Sequence, residues 1–422
     1  MRSRPFLLAL AASAFTFVAC AVPAALRAQV TGATAGATSG AVTPGVEVLL
    51  RDSLHLVRGK RVGLITNHTG RDRAGTSTID LLARAPGVRL TALFAAEHGI
   101  RGAEKAGAKI AASVDSATGV PIHSLYGATR TPTRAMLRDV DVLVYDMQDV
   151  GARVYTYVWT MALAAAAADS AGVPFVVLDR PNPVRADRVD GGVLDPRFSS
   201  FVGLHPVAMR YGLTPGELLR WLQGTGRAGK GAHVVPMQGY RRAMWWDSTG
   251  LRWVNPSPNL RDLDATTLYT GTVFFEGTNV SEGRGTDAPF KQVGAPWLTD
   301  AGAIAAALNA RALPGVRFDT ATRTVEAGYK HGGQTIPMLT VQVTDRDQVR
   351  PDAVGLWMLR EIRARHPREF QWRTAAMDRL AGGERARRAV DTSDEAVRAL
   401  LGEYEAESRR FAEATRRYHL YR

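Results

Sequence analysis

The sequence predicts an α/β fold, in which a doubly wound parallel sheet is followed by a smaller α+β domain. In the first part of the chain, short and continuously apolar runs alternate with helical patterns, which is typical of parallel strands that helices cover on both faces. After Pro183 this alternation stops, and helices, short strands and glycine-rich turns follow without a regular order. The 422 residues exceed what one hydrophobic core usually supports, so two domains are expected.

Four strands define the predicted sheet, and helical patterns separate them. The strands lie at residues 61–66, 90–95, 141–145 and 173–178, with helices at 78–85 and 154–170. Ligands of doubly wound sheets bind outside the carboxyl ends of the strands. The residues that directly follow these strands are therefore the first candidates for a binding site.

Polar or charged residues follow each of these strands. Any one of them could be an ordinary loop residue. The carboxyl ends of parallel strands meet at one edge of the sheet, however, so the four groups are expected to converge into a site. In chain order they are Asn67, His68, Glu97, His98, Asp146, Asp179 and Asn182.

Two glutamates are the candidate catalytic residues. Glu97 directly follows a strand, and Phe94 and Ala95 before it can form an apolar wall of the kind that raises the pKa of a general acid. Glu276 begins a polar, glycine-rich loop at residues 276–287. Glycoside hydrolysis needs one protonated and one ionised carboxyl group, so the two glutamates would form such a pair if their loops meet. A turn cap or an ion pair is the alternative role for Glu97.

Further residues are candidates for substrate contacts. Asp146 is predicted to contact a ligand, whereas Asp149 also suits the N-cap of the next helix. Arg284 lies among glycines and can bind an anionic group such as a carboxylate. Tyr155 and Tyr157 can stack on sugar faces or pack in the core.

The spacing of glycine, histidine and serine residues excludes several other kinds of site. Residues 224–229 match GxGxxG, but a helix precedes them and a strand follows, which is the reverse of a nucleotide-binding loop. The histidines His68, His98, His205 and His331 show no metal-ligand spacing, and no GxSxG elbow is present. No cofactor and no metal are therefore expected.

The first 45 residues are predicted to lie outside the fold. Arginines precede an apolar run at residues 6–19 that is short for a bilayer span, which indicates a signal peptide at 1–28 with cleavage after Ala28. A lipoprotein signal with lipid on Cys20 is the alternative. Residues 29–45 form a flexible linker rich in small residues. The protein is thus expected to be exported, periplasmic or extracellular, and without a stable membrane span.

The composition limits the kinds of site and of binding partner that the protein can have. Cys20 is the only cysteine, so a chain cleaved after Ala28 has no disulfide and no thiolate metal site. The formal net charge of +13 favours an anionic partner. No basic stripe with interleaved aromatic residues is present, so nucleic acid is not expected. For an exported protein, an anionic cell-wall polymer is the more natural partner.

Six motifs in this order resemble the exo-β-N-acetylmuramidase family, long known only as a domain of unknown function. The likeness runs from about residue 46 to the C-terminus. It implies a Rossmann-like domain without nucleotide at 46–265, a smaller α+β domain at 266–422, and a site in the cleft between them. The motifs are GLITNHTG (63–70), AAEHGIRG (95–102), DVLVYDMQDVGARVYTY (141–157), LDRPNP (178–183), PSPNL (256–260) and EGTNVSEGRGTDAPF (276–290).

The resemblance implies an exo-acting glycosidase of peptidoglycan turnover. Such enzymes release terminal N-acetylmuramic acid from the non-reducing end of muramyl-containing fragments. The glutamates of the family's Glu-His-Gly and EGTN motifs fall on Glu97 and Glu276, while Ala95 and Ala96 stand where the family usually has Ser-Pro. The alternatives are a non-catalytic protein that binds cell-wall glycan and a nucleotide-dependent enzyme. The latter fails because Asn-His-Thr-Gly replaces a phosphate-binding loop after Thr66.

The same resemblance, taken with the strand-end pattern, gives a set of predicted substrate-binding residues. The lactyl carboxylate of muramic acid is expected to bind the arginines of this set. The complete set is Asn67, His68, His98, Arg101, Asp146, Asp149, Tyr157, Asn182, Asn279 and Arg284.

Overall fold

The computed structural model describes residues 41–97, 99–100, 113–127 and 129–422. The predicted signal peptide, Cys20 and most of the predicted linker lie outside these residues, as do His98 and Arg101. Within the described ranges, no helix is both long enough and apolar enough to cross a membrane.

A mostly parallel sheet forms the centre of the first part of the chain. Its seven strands follow the spatial order β3-β4-β2-β1-β5-β6-β9, and every neighbouring pair except β3–β4 is parallel. The doubly wound α/β fold is therefore confirmed. The strands of this part, including the separate pair β7–β8, are β1 (Arg61–Thr66), β2 (Arg89–Ala95), β3 (Ser113–Val114), β4 (Pro121–Ser124), β5 (Val142–Asp146), β6 (Phe175–Leu178), β7 (Asp190–Val193), β8 (Ala208–Arg210) and β9 (Ala232–Val235).

Helices cover both faces of this sheet because its strands are apolar on both sides. On one face, Leu49 and Leu82 pack with strand residues such as Leu64. On the other face, Met161 and Leu218 belong to a second and larger cluster that continues into the rest of the chain. The helices are α1 (Gly45–Asp52) and α2 (Thr78–Arg84) on the first face, and α3 (Tyr157–Ser170) and α4 (Pro215–Gly224) on the second.

The remainder of the chain is helical with a small antiparallel sheet, as predicted for the α+β part. Strands β10 and β11 pair with the two edges of β12. The proposed boundary at residue 265 stays a prediction. The elements are α5 (Leu263–Thr272), β10 (Gln292–Gly294), α6 (Ala301–Ala310), β11 (Val316–Thr324), β12 (Thr335–Val343), α7 (Pro351–Arg365), α8 (Thr374–Ala381), α9 (Arg385–Thr392) and α10 (Asp394–Thr415).

Helix α5 differs from the sequence-based expectation. Residues 267–275 have a β-rich composition, yet they form the end of α5 and a 3₁₀ turn (Val273–Gly277). Asp262 caps the helix by accepting a hydrogen bond from the Ala265 amide at 2.7 Å. The hydroxyls of Thr266 and Thr267 donate back to carbonyls four residues earlier, each at 2.8 Å. Capping and burial thus override the weak helix propensity of the β-branched residues.

Two glycines allow α5 and α7 to cross in backbone contact. A Cβ atom added to Gly271 would lie 1.7 Å from the carbonyl oxygen of Pro351, and one added to Gly355 would lie 2.4 Å from the carbonyl oxygen of Gly271. Only hydrogen fits at this crossing. Because the 3₁₀ turn that carries Glu276 continues directly from α5, the crossing also fixes the position of that carboxyl group.

Residues 420–422 are bonded to the first part of the chain. The Tyr421 hydroxyl donates to Asp179 Oδ2 at 2.6 Å and accepts from the Met237 amide at 2.9 Å. The Leu420 amide donates to Glu217 Oε1 at 2.9 Å. Asp179 and Met237 follow β6 and β9, so this tail completes the hydrogen bonding at the carboxyl edge of the sheet.

Candidate active site

Glu97 lies immediately beyond the carboxyl end of β2, where two hydroxyl groups bind it. The Tyr126 hydroxyl donates to Oε1 and the Thr156 hydroxyl donates to Oε2, both at 2.9 Å. Tyr126 follows β4, and Thr156 is the N-cap residue of α3. Burial raises the pKa of Tyr126, and the Glu97 carboxylate raises it further, so the phenol remains protonated and acts as the donor. Three elements therefore orient the Glu97 carboxyl group.

A cavity of about 260 Å³, here called the Glu97 cavity, contains both candidate catalytic residues. Glu97 and Tyr126 line one part of it, and Glu276 and Arg284 line another. The loops that carry the two glutamates thus meet at one site. Tyr155 and Tyr269 are also among the lining residues, and their rings pack edge to face with centroids 6.2 Å apart.

The glycine-rich loop carries a chain of alternating charges. Arg284 Nη2 lies 2.7 Å from Glu276 Oε1, and its Nε lies 3.2 Å from Glu282 Oε1. Lys330 Nζ lies 2.9 Å from the other oxygen of Glu282. Burial raises the pKa of Glu276, and Arg284 limits this rise. Because Arg284 is shared, it keeps one ion pair with Glu282 even when Glu276 is protonated.

A neighbouring cavity of about 400 Å³, here called the Arg373 cavity, also contains Glu276 and Arg284 in its wall. Its lining includes Glu282, Lys330 and Arg373, so three cationic side chains face two carboxyl groups. Arg373 is exposed, and it forms no ion pair with any carboxylate in the part of the chain that the structure describes. The Arg373 cavity is therefore net cationic and suits an anionic group.

Comparison with known proteins identifies the family. The model of the exo-β-N-acetylmuramidase NamZ N-terminal domain matches residues 62–264, and that of the C-terminal domain matches residues 267–421. The chain belongs to the NamZ exo-β-N-acetylmuramidase family. A peptidoglycan β-N-acetylmuramidase NamZ from Bacillus subtilis (strain 168) is 40% identical over 381 residues, which cover 90% of this chain and 91% of that protein. The predicted family is thus confirmed.

Solved structures of the same fold come from Bacteroides fragilis NCTC 9343. Two crystal structures of DUF1343 family proteins each cover 90% of this chain and 99% of their own. One has a TM-score of 0.83 and 34% identity, and the other a TM-score of 0.71 and 26% identity. The α/β architecture of this NamZ-family chain is therefore shared with proteins of known structure.

Several of the residues predicted to contact substrate form hydrogen bonds that connect loops of this NamZ-family chain. Asp146 is fully buried and accepts hydrogen bonds from the Arg180 guanidinium and the Thr78 hydroxyl. The amide group of Asn182 bonds the Leu213 carbonyl at 3.0 Å and the Val184 amide at 3.1 Å. These internal bonds give both residues a structural role, and their predicted substrate contacts stay untested.

Three more predicted contacts likewise have partners within the protein. Asn279 bonds the Glu369 carbonyl at 2.8 Å and the Gln371 amide at 2.9 Å. The Tyr157 hydroxyl donates to the Pro256 carbonyl at 2.8 Å, and Asn67 Oδ1 accepts from Thr69. These bonds fix the loops around the Glu97 cavity. His68 lines a different and larger cavity.

Several residues at the site were not predicted from the sequence as contacts, and Tyr126, Tyr269 and Arg373 show why. Tyr126 comes two residues after β4, so the search for residues that follow strands would have found it if β4 had been among the predicted strands. Tyr269 was not found because the β-rich composition of its segment predicts a strand, whereas the residue lies in α5. Arg373 has no local signal, because a bridge between Thr278 and Trp372 brings it to the glycine-rich loop. No group of three or more metal-ligating side chains occurs in the described ranges.

Asp149 is a buried carboxyl group whose ionisation should be visible in the stability of the fold. Burial raises the pKa of Asp149 to about 7, although hydrogen bonds from Tyr211 and from the backbone of Gly151 lower it in part. A carboxyl group with a raised pKa stabilises the folded state at low pH, and this contribution is lost as the pH rises through the folded-state pKa. Asp179, also with a pKa of about 7, contributes in the same direction.

The variant Asp149→Asn tests this linkage, because an amide cannot ionise. Between pH 5 and pH 8, we expect the free energy of unfolding to fall in the wild type and to fall less in the variant. Denaturant titrations at both pH values measure the difference. An equal fall in the two proteins would contradict the assignment of Asp149.

Proposed function

We propose that this protein is an exo-acting β-N-acetylmuramidase that releases terminal N-acetylmuramic acid from the non-reducing end of peptidoglycan fragments. The observation that carries the proposal is the presence of Glu97 and Glu276 in one cavity, on opposing loops. The relative from Bacillus subtilis is named as a peptidoglycan β-N-acetylmuramidase. The six-motif likeness of the sequence supports the same activity. A protein that only binds glycan would not need two carboxyl groups placed in this way.

The two carboxyl groups are suited to different roles. Glu276 has a raised pKa, so it acts as the acid that protonates the oxygen of the leaving group as the bond to the anomeric carbon breaks. Glu97 accepts hydrogen bonds from the Tyr126 and Thr156 hydroxyls at its two oxygens, which hold the carboxyl group in one orientation. We therefore assign it the role of assisting attack at the anomeric carbon, in place of the acid role expected from the sequence. Arg284 stabilises Glu276 again after the proton has left.

Turnover of a chromogenic N-acetylmuramic acid β-glycoside tests the activity directly. We expect the chromophore to be released from this substrate and not from the N-acetylglucosamine analogue, which lacks the lactyl group. Release from neither, while the muramyl compound still binds, would favour the non-catalytic alternative. Release from both at equal rates would contradict specificity for muramic acid.

The acid role of Glu276 predicts a dependence on the leaving group. Glu276→Gln is expected to lower kcat about 10²-fold for a poor phenol leaving group, and much less for 2,4-dinitrophenol, whose departure needs no proton. In the wild type, kcat should fall as the pH rises through the raised pKa of Glu276, and this fall should be absent in the variant with the dinitrophenyl substrate. An equal loss on both substrates would argue against an acid role.

Arg373 is the residue that we expect to select the lactyl carboxylate. Arg101 and Arg284 were the candidates from the sequence. Arg101 lies outside the described residues, and Arg284 is shared by two carboxylates, whereas Arg373 pairs with none among the described residues. Arg373→Ala should raise KM for the muramyl glycoside about ten- to hundredfold, the value of a charged hydrogen bond, and leave competitive inhibition by the N-acetylglucosamine analogue unchanged. Arg379→Ala, which removes another exposed arginine, is the matched control.

We propose export for this chain on the pattern of residues 1–28. N-terminal sequencing and mass measurement of protein recovered from outside the cytoplasm test it. A chain that begins at Gln29 supports simple cleavage, and a lipid-modified Cys20 supports the alternative. A full-length chain that stays in the cytoplasm would overturn the proposal.

A further inference from the structure

A third cavity, of about 700 Å³, lies at the carboxyl ends of β1 and β5. Strand β1 has β2 on one side and β5 on the other, so the winding direction of the sheet reverses between β1 and β5. The crevice at such a reversal is where doubly wound folds bind ligands. Neither Glu97 nor Glu276 is among its lining residues. The proposed hydrolysis thus leaves this space, here called the switch-point cavity, without a role.

The charges of the switch-point cavity favour an anionic ligand. Its lining includes Arg71, Arg180 and Arg252, against a single acid, Asp72. Asp146 neutralises Arg180. Arg71 donates to the backbone carbonyls of His68 and Gly75, each at 2.7 Å. Over the described ranges, neither Arg71 nor the exposed Arg252 forms an ion pair with a carboxylate. Two guanidinium groups are therefore available to a carboxylate-bearing ligand.

The other walls of this cavity offer apolar surface and amide-like hydrogen bonding. The rings of Trp246 and Trp253 pack edge to face, with centroids 5.4 Å apart. Their indole nitrogens and Gln148 Oε1 are buried and have no hydrogen-bond partner among the described residues. Gln148 donates its amide nitrogen to the carbonyls of Asp149 and Pro181, which fixes its oxygen as the unpaired atom. A ligand with both amide N–H and C=O groups would satisfy these donors and this acceptor.

The switch-point cavity adjoins the site of the proposed reaction. Pro258 lines both this cavity and the Arg373 cavity, which contains Glu276. Asn255 also lines the switch-point cavity, and His68 Nε2 lies 2.8 Å from its carbonyl oxygen. A single ligand can therefore extend from one cavity over Pro258 into the other.

We propose that the switch-point cavity binds a short acidic peptide attached to the lactyl group of the muramyl substrate. This inference rests on the proposed function, because it assumes that a muramyl residue occupies the neighbouring site. The carboxylates of the peptide meet Arg71 and Arg252, its amide groups meet Gln148 and the indole N–H groups, and its methyl groups pack on the tryptophan rings. On such fragments the lactyl carboxyl group is an amide. The peptide carboxylates at Arg71 and Arg252 therefore take the place of the lactyl carboxylate that Arg373 binds on the peptide-free substrate.

Direct binding tests the cavity without any hydrolysis. The probe is the N-acetylated dipeptide N-acetyl-L-alanyl-D-glutamate, whose acetyl group replaces the lactyl carbonyl, titrated into the full protein while tryptophan fluorescence is recorded. We expect saturable binding that weakens about tenfold in Arg252→Ala and that is absent for the neutral diamide of the dipeptide. Arg398→Ala, which removes an arginine that is 59% exposed on α10, should bind as the wild type does. No binding of the dipeptide, or binding of adenosine monophosphate in its place, would overturn the proposal.

Kinetics separate this inference from the proposed function. With a muramyl glycoside that carries the dipeptide, Arg252→Ala should raise KM about tenfold with kcat unchanged, and with the peptide-free glycoside it should change neither. Equal effects on both substrates would overturn the peptide site while the proposed hydrolysis stands. Absence of turnover for both substrates in the wild type would instead refute the proposed function.

Discussion

Glu97→Gln is expected to lower kcat for an N-acetylmuramic acid β-glycoside by about 10³-fold, in the middle of the range that one acid–base group contributes. The amide is isosteric with the carboxyl group and can still accept the hydrogen bond of one hydroxyl, from Tyr126 or Thr156. It cannot carry the negative charge that assists attack at the anomeric carbon. The loss should therefore appear in kcat, with little change in KM. Steady-state release of the chromophore measures both constants.

Two comparisons make this result specific to Glu97. Glu395→Gln changes a glutamate that is 77% exposed on α10, and it should leave kcat and KM at wild-type values. Tyr126→Phe removes one donor to Glu97 and should cause a much smaller loss than Glu97→Gln. Thermal unfolding of each variant checks that the fold is intact. If the Glu97 variant kept kcat within tenfold of the wild type, another group would have to supply the chemistry.

Gly271→Ala is expected to destabilise the fold by about 3 kcal/mol or more, the upper end of the range for overpacked cores. The new methyl group would meet the Pro351 carbonyl oxygen at 1.7 Å, and backbone atoms cannot rotate away as a flexible side chain can. Helices α5 and α7 would have to separate. Denaturant titration measures the loss of stability, and soluble yield gives a second readout.

The matched control is Gly302→Ala, in the exposed part of α6. No atom lies within 4 Å of a Cβ added there, so the higher helix propensity of alanine should stabilise the protein by up to about 1 kcal/mol. If alanine destabilises the protein at Gly271 and stabilises it at Gly302, the loss of stability can be assigned to the crossing of α5 and α7. Similar stabilities for the two variants would show that α5 and α7 can move apart at little cost.

The strands of the central sheet were predictable because burial on both faces leaves them continuously apolar. The prediction for residues 61–66 coincides with β1. The one at 90–95 begins one residue later than β2, and the one at 141–145 is shifted by one residue from β5. Helix α5 was not predictable in this way. Its threonines have a higher propensity for strands than for helices. The helix forms because Asp262 caps it and because it packs against α7. Local preference therefore fails where tertiary contacts dominate.

The candidate site was predictable in outline and not in its polar details. Glu97 and Glu276 were found because one ends a strand and the other opens a glycine-rich loop. The same rule selected Asp146 and Asn182, whose polar atoms instead bond neighbouring loops. Loops that are buried at the edge of a sheet must satisfy their own backbone and side-chain groups. A polar residue after a strand can thus serve either the ligand or the loop, and only the folded contacts distinguish the two.

The bonds of residues 420–422 tie distant parts of the sequence into one unit of unfolding. Tyr421 bonds Asp179 and Met237, which lie 242 and 184 residues away along the chain. Contacts of such long sequence separation are slow to form, because the loop that they close is long. Removal of residues 420–422 would therefore loosen the carboxyl edge of the sheet, although it touches none of the strands.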